Sequence, residues 1–503
     1  MTTDLTTSAQ WIPAFAGMTK RGAYAALLIG LLSSCAVGPD YVRPTTDIPA
    51  SFKEQAGWKV AAPNDAAPRG AWWQDFNDPT LDNLQDRLLQ TNQSLRVAEA
   101  NYRQATALTD QAQSQLFPTV GASFDATRSG TANSAPTGAP SNSTARTSYR
   151  ANATANWDID LWGRIRRSIE AQDESALASA ADLANARLSL QAQLASAYVQ
   201  LRFQDEFQRL LDTTVEAYAR SLQITQNQYN VGLVARSDVD QAETQLAQTQ
   251  AQAIANQRSR AQLEHAIAVL VGTAPADFTL KPTTMTLRMP PIPMALPSTL
   301  LERRPDVASA ERRVASANAE IGVAIAAWFP DLSLSGSYGV SGSPISKLFR
   351  ASNVAWSAGA SVAETIFDAG ARSARIDQAR AAYDGTVAQY RLTVLGALAQ
   401  VEDQLVALDT LKRQGEAQAI ALRAARSAEQ SIIDQYRAGR VAYTSVVQAQ
   451  AQALQAEQSS ITVRQNQLLA AVVLIQALGG GWDGTSAGAV VQPAAKTDAS
   501  ARK

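Results

Sequence analysis

The chain has 503 residues, a net charge of −1 and 18% charged residues, with one Cys and one His. That balance gives no reason to expect a polyanionic partner, so nucleic acid is not anticipated. One Cys forbids an intrachain disulfide and one His leaves little material for an imidazole metal site or a Cys/His catalytic pair, so no cofactor is expected. Carboxylate catalysis stays formally open. Length permits more than one domain. Ala and Gln crowd the long middle stretches, and Ala favours helix most of all, so the expected fold class is mostly α.

Residues 20–35 read KRGAYAALLIGLLSSC. Lys20 and Arg21 form a positive start, Ala23 to Leu32 an apolar core too short for a permanent bilayer span, and Ser33-Ser34 lead into Cys35. This resembles a bacterial lipoprotein signal, which implies cleavage before Cys35 and a covalent lipid on that thiol. Residues 1–34 are then the signal, with Met18 its natural start, and 35–80 the lipidated segment. An ordinary secretory signal with a chance Cys is the competing reading, weakened because Cys35 is the only Cys. No later apolar run reaches 18 residues, so a membrane role falls to the lipid or to β-strands.

Four segments alternate with period 2: PTVGASFDAT, SYRANATANW, DLSLSGSYGV and NVAWSAGASV. Their apolar sides hold Phe124, Tyr149, Trp157, Tyr338 and Trp356, and their polar sides are mostly Ser, Thr and Asn, the pattern of a lipid-facing wall around a wet interior. They form two hairpins, each entered through a helix stopped by Phe-Pro, at Phe117-Pro118 and Phe329-Pro330. Four strands cannot close a barrel, so a barrel needs several chains.

Each hairpin is followed by a long run nearly free of Pro and Gly, Gly163 to Tyr229 and Gly370 to Tyr436. Helices of that length require partner helices along an apolar stripe. The two runs end alike: Tyr229, Gly232, Val234, Val239 and Gln241 recur 207 positions later as Tyr436, Gly439, Val441, Val446 and Gln448. Gly232 and Gly439 read as left-handed helix ends, and Ser237 and Thr444 as caps of shorter return helices that stop at Gly272 and Gly479. The chain is thus a tandem repeat, 81–272 and 298–479, joined by a Pro-rich linker, 273–297, expected to run over the outside, and followed by a tail, 480–503.

CAVGPDYVRP from Cys35, LLERRPDVASAERRVASANAEIGVAIAAWFPDLSLSG from Leu300, the two tips and LGGGW from Leu478 together resemble the outer membrane factor family, the nodulation-T type of lipoprotein efflux channels. The resemblance implies a homotrimer in which three four-stranded contributions close one twelve-stranded outer-membrane barrel, continued by a long α-helical coiled-coil barrel. It implies passive conduction of drugs or other small molecules delivered by an inner-membrane RND-type pump and a periplasmic adaptor, with outer-membrane lipid as the surrounding partner. Val231, Gly232, Leu233, Ala438, Gly439 and Arg440 would be the adaptor-docking tips. The best-known relatives carry two gate acids six and nine positions beyond the second tip glycine; here those positions are Ser445 and Gln448, and Asp238 remains to pair with Tyr436 or Arg440.

A structural or adaptor coiled-coil lipoprotein is the alternative, predicting one helical hairpin and a compact β-domain. A hydrolase using Asp158 and Asp160 in WDIDLWG is a third, set against the simpler reading of Asp160 and Asp368 as caps before Gly163 and Gly370. His265 reads as a packing or solvent residue, and Arg303-Arg304-Pro305 as a helix start with Asp306 in its first turn.

Overall fold

The computed structural model describes residues 36–45, 53, 71–130, 145–284, 286–290 and 304–480. The signal, Cys35, Arg303, most of the linker's second half and the tail lie outside them. The chain divides into two compact units.

The first unit comprises Met1–Val42, Ala107–Asp173 and Ala315–Asp384. Its centre is one antiparallel sheet in the order β1 (Thr119–Gly130), β2 (Ala145–Ile159), β3 (Asp331–Gly342), β4 (Val354–Ala363). Register turns the period-2 pattern into two faces. Tyr338 lies opposite Ala153 and Trp356, and Leu334 opposite Trp157 and Ala360, which builds the apolar face. Ser337 lies opposite Thr154 and Ser357, with a 2.8 Å bond between the two serine hydroxyls, on the polar face. Every residue of β1 and β4 is exposed, and these two strands are the sheet's open edges.

Helices enter and leave at one end of the sheet. α2 (Gln93–Ser114) and α5 (Pro305–Ala326) stop short of the Phe-Pro pairs, through tightened turns in which Phe117 N–H donates to Ser114 O and Phe329 N–H to Ala326 O, both at 3.1 Å. Proline ends each helix from a few residues downstream, because the residue before it avoids the helical region. Asp160 accepts from the N–H groups of Ile165 and Arg166 at 3.0 and 2.9 Å and so caps α3 (Arg164–Asn230). Asp368 does the same for α6 (Ala371–Arg437), accepting from Gly370 and Arg372; the Arg372 side chain chiefly holds its carboxyl below the usual range. Asp160 lies beyond the end of β2, so Asp158 and Asp160 do not share a strand face.

The N-terminal segment is strapped to this unit. Arg167, almost fully buried, donates to Val37 O, Gly38 O and Asp40, and Asn318 donates to Pro39 O. Gly38 passes so close to Gly322 that a Cβ on the former would collide with the backbone of the latter.

The second unit comprises Arg43–Thr106, Glu174–Val314 and Gly385–Lys503. Its core gathers Trp72, Trp73 and Phe76, the apolar stripe of α1 (Pro79–Thr91), Leu194, Tyr198, Leu201 and Phe203 of α3, Ile267 of α4 (Arg236–Leu270), and Val472 and Ile475 of α7 (Tyr443–Ala477). Asp78 caps α1 and accepts the Tyr198 hydroxyl at 2.9 Å; burial pushes that phenol up to about 12. The linker departs from expectation. Phe278 and Leu280 are buried in the core, and Arg202, Asp205, Arg260 and Glu264 bond the backbone of Leu280, Lys281 and Thr283, so its first half is docked rather than draped outside. An apolar anchor plus satisfied backbone groups makes burial of a loop tolerable.

Arg304, also buried, grips Asp306 twice, at 3.0 and 2.7 Å, and donates to Gln400 Oε1 and to Ala477 O at the end of α7. Its positive charge and its donors thereby serve the first turn of one helix and the last carbonyls of another. His265 is exposed on α4.

Candidate functional site

The tips belong to the second unit, and each is built by the same backbone bonds. At the end of α3, Gly232 takes φ +76°, its N–H donates to Tyr229 O, and Leu233 N–H reaches back to Gln228 O, both at 2.9 Å. At the end of α6, Gly439 takes φ +69°, its N–H donates to Tyr436 O, and Arg440 N–H reaches Gln435 O, again both at 2.9 Å. This left-handed closure satisfies orphan carbonyls, and it favours glycine because a Cβ penalises that backbone. Val231, Leu233, Ala438 and Arg440 are exposed beside the two glycines.

The return helices begin earlier than anticipated. Their caps are Ala235 and Ala442, so Ser237 and Thr444 lie inside the first turns. In the first copy Asp238, three residues after Ala235, accepts its N–H at 3.3 Å. The corresponding residue in the second copy is Ser445, whose own N–H donates to Ala442 O at 3.1 Å. Both return helices start at the equivalent alanine, with the acid in one copy and without it in the other, so the shared backbone bond from the third helical residue sets the boundary.

The two tips meet through residues that repeat matching alone does not single out. The Tyr436 hydroxyl donates to Gln228 Oε1 at 2.6 Å, and the Tyr436 and Tyr443 rings lie 5.4 Å apart. Tyr443 also bonds Ser221 Oγ at 3.0 Å, above a cluster of Ala242, Tyr443 and Val446 flanked by Leu222, Ile432, Ile433 and Val447. Burial raises the Tyr436 phenol, with Tyr443 and Asp238 adding to the rise. Asp238 was expected to pair with Tyr436 or Arg440; within this chain its carboxylate accepts Ala235 N–H at its own helix start. Gln228 was the overlooked partner; it stands directly before Tyr229, as Gln435 stands before Tyr436. Ser445 is half-buried and Gln448 exposed on α7. Neither can supply a fixed charge.

The sheet of the first unit contributes the other functional surface. Its polar face runs through Ser123, Asn152, Thr154, Ser335 and Ser357, and on its apolar face Trp356 and Tyr338 are largely exposed. No helix among the described residues is long and apolar enough to cross a membrane. A sheet with one wet and one greasy face and two open edges is a piece of membrane wall.

These features define a class, and the chain belongs to the outer membrane efflux protein family, whose sequence profile matches residues 84–273 and 296–480, the two copies of the repeat. It is 32% identical over 469 residues to the probable efflux pump outer membrane protein TtgC of Pseudomonas putida, spanning 92% of this chain and 96% of that protein. It is 30% identical over 456 residues to the pyoverdine export outer membrane protein OpmQ of Pseudomonas aeruginosa, spanning 90% and 95%. Among solved structures, the outer-membrane channel OprN is 32% identical with a TM-score of 0.80, over 89% of this chain and 100% of that one. The open state of the Neisseria gonorrhoeae MtrE outer membrane channel is 28% identical with a TM-score of 0.77, over 89% and 98%. The protein is an efflux channel of the outer membrane.

Proposed function

We propose that the channel is a homotrimer, lipid-anchored at Cys35, that passively conducts small molecules received from an inner-membrane RND-type pump through a periplasmic adaptor docked on the six tips of the assembly. The duplicated tip carries this reading. Two glycine-closed turns with the same bonds, laced together by Tyr436 and Gln228, make near-equivalent surfaces, and a trimer multiplies them into a ring suited to an adaptor present in several copies. The polar face of the sheet is mostly Ser, Thr and Asn, which supports the reading that substrate choice falls to the pump.

Replacing Gly232 or Gly439 with Val tests the docking surface. Trimers should still assemble, because nothing stands within 4 Å of either glycine's missing Cβ, while cross-linking to the adaptor and drug resistance fall. Undiminished cross-linking and resistance would remove the tips from the mechanism. For the anchor, Cys35→Ser should abolish palmitate incorporation, and label retained by that variant would sink the lipid assignment.

A further inference from the structure

Charge is distributed differently at the two ends of the sheet. Where helices attach, three acids have basic partners: Asp160 with Arg166 at 3.2 Å, Asp331 with Arg164 at 3.7 Å and Asp368 with Arg372 at 2.8 Å. At the hairpin end the stretches 124–150 and 339–356 carry five basic residues, Arg128, Arg146, Arg150, Lys347 and Arg350, against the single acid Asp125. Asp125 lies opposite Arg150, and residues 131–144 contain no charged side chain to offset the others.

Register sorts these cations by face. Arg128 lies opposite Thr147, in step with Ala126 opposite Tyr149 and Phe124 opposite Ala151, so it continues the apolar face at its outer end. Arg146 and Arg150 lie on the polar face, opposite Ser129 and Asp125. The β3–β4 loop folds onto the apolar side. Gly342 lies opposite Tyr149, and a Cβ there would stand 2.8 Å from Asn353 Nδ2 and 3.6 Å from Leu348 Cα. Leu348 is buried by this fold-over, which leaves Lys347, Phe349 and Arg350 exposed beside it, Phe349 at 80%. No ion pair among the described residues involves Arg128, Lys347 or Arg350. One step inward on the same face, the Phe124 and Tyr149 rings stack with centroids 6.5 Å apart.

The order along the apolar face is therefore aliphatic wall, aromatic row, then cations outside any ion pair among the described residues, Arg128 on the edge strand and Lys347 and Arg350 flanking the exposed Phe349 in the loop. Aromatic rings settle at the hydrocarbon boundary, and cations just beyond it attract anionic headgroups. Helices leave from the opposite end of the sheet, so the hairpin end faces the cell exterior. The lipid there is a phosphorylated glycolipid, and guanidinium groups bind phosphate with paired, directional donors. We propose that Arg128, Lys347 and Arg350 form a docking rim for the phosphate groups of outer-leaflet glycolipid, with Phe349 set among its acyl chains. This rests on the reading of the sheet as outer-membrane wall.

Purified trimers in phosphatidylcholine nanodiscs doped with diphosphoryl lipid A, dephosphorylated lipid A or phosphatidylglycerol decide the matter, with bound lipid counted by native mass spectrometry. Diphosphoryl lipid A should be retained selectively and released by salt. The Arg128→Gln, Lys347→Gln, Arg350→Gln variant should lose affinity roughly fivefold per charge removed. Arg146→Gln, on the other face, should bind as the parent does. Equal retention by the triple variant, or equal retention of dephosphorylated lipid A, overturns the rim; equal retention of phosphatidylglycerol overturns its assignment to glycolipid. Heat-modifiable trimers in the outer-membrane fraction report separately on the wall. Should the triple variant not assemble, Lys347→Gln alone, in a loop, is read in its place.

Discussion

At single positions, glycines with the same backbone sign do different work. Gly439, φ +69°, has open space where its Cβ would be, so alanine there meets only the left-handed penalty, about 1–2 kcal/mol. Gly272, φ +65°, has a similar dihedral, but its Cβ would fall on the carbonyl of Thr91, whose own hydroxyl donates to Val271 O at 2.7 Å. Thermal unfolding followed by circular dichroism should show Gly272→Ala lowering stability by more than about 2 kcal/mol and Gly439→Ala by less. Equal losses would mean that the backbone collision relaxes without cost. Both glycines are legible in the sequence as helix ends. Only packing distinguishes the crowded one.

Among the elements, α7 carries Ser445 and Gln448 at the two positions where the resemblance implies a gate. Rings of carboxylates repel one another and draw cations, whereas Ser445 and Gln448 do neither. Asp238, the acid at the first copy's equivalent of Ser445, accepts the N–H of Ala235 at the start of α4. Periplasmic multivalent cations should therefore block the channel weakly, and Ser445→Asp with Gln448→Asp should create tight block in single-channel recordings with the cation on the tunnel side. Tight block of the unmodified channel would show that the tip chemistry has been misassigned. Uncharged bonds join the tips at this level, Tyr436 to Gln228 and Tyr443 to Ser221. Such bonds respond little to salt.

For the molecule as a whole, the sheet sets the requirement. Strands β1 and β4 present unpaired backbone donors and acceptors, which hydrocarbon does not tolerate, so edge must meet edge between chains. Proline scanning along Thr119–Gly130 should abolish SDS-resistant trimers wherever the amide faces the open edge, because proline has no N–H to donate. The monomer should keep its helical circular dichroism. If trimers survive every substitution, edge pairing is not what closes the wall.

Periodicity in the sequence determined the four strands, their two faces and the long helices, because each is a local pattern of period 2 or 3.6 that no distant contact has to supply. The offset of 207 likewise disclosed the doubled tip, since equal turns need equal glycines. What the tertiary structure alone decided was partnership. Tyr436 chose Gln228 over Asp238, Arg304 reached across to Ala477 O, the first half of the linker sank its Phe278 into the core, and the loop carrying Lys347 folded onto the apolar face at Gly342. Each of these is a pairing between residues far apart in the chain, and composition is silent on it: a buried donor takes whichever acceptor the packed helices bring within reach, and distance in space is not written in distance along the sequence.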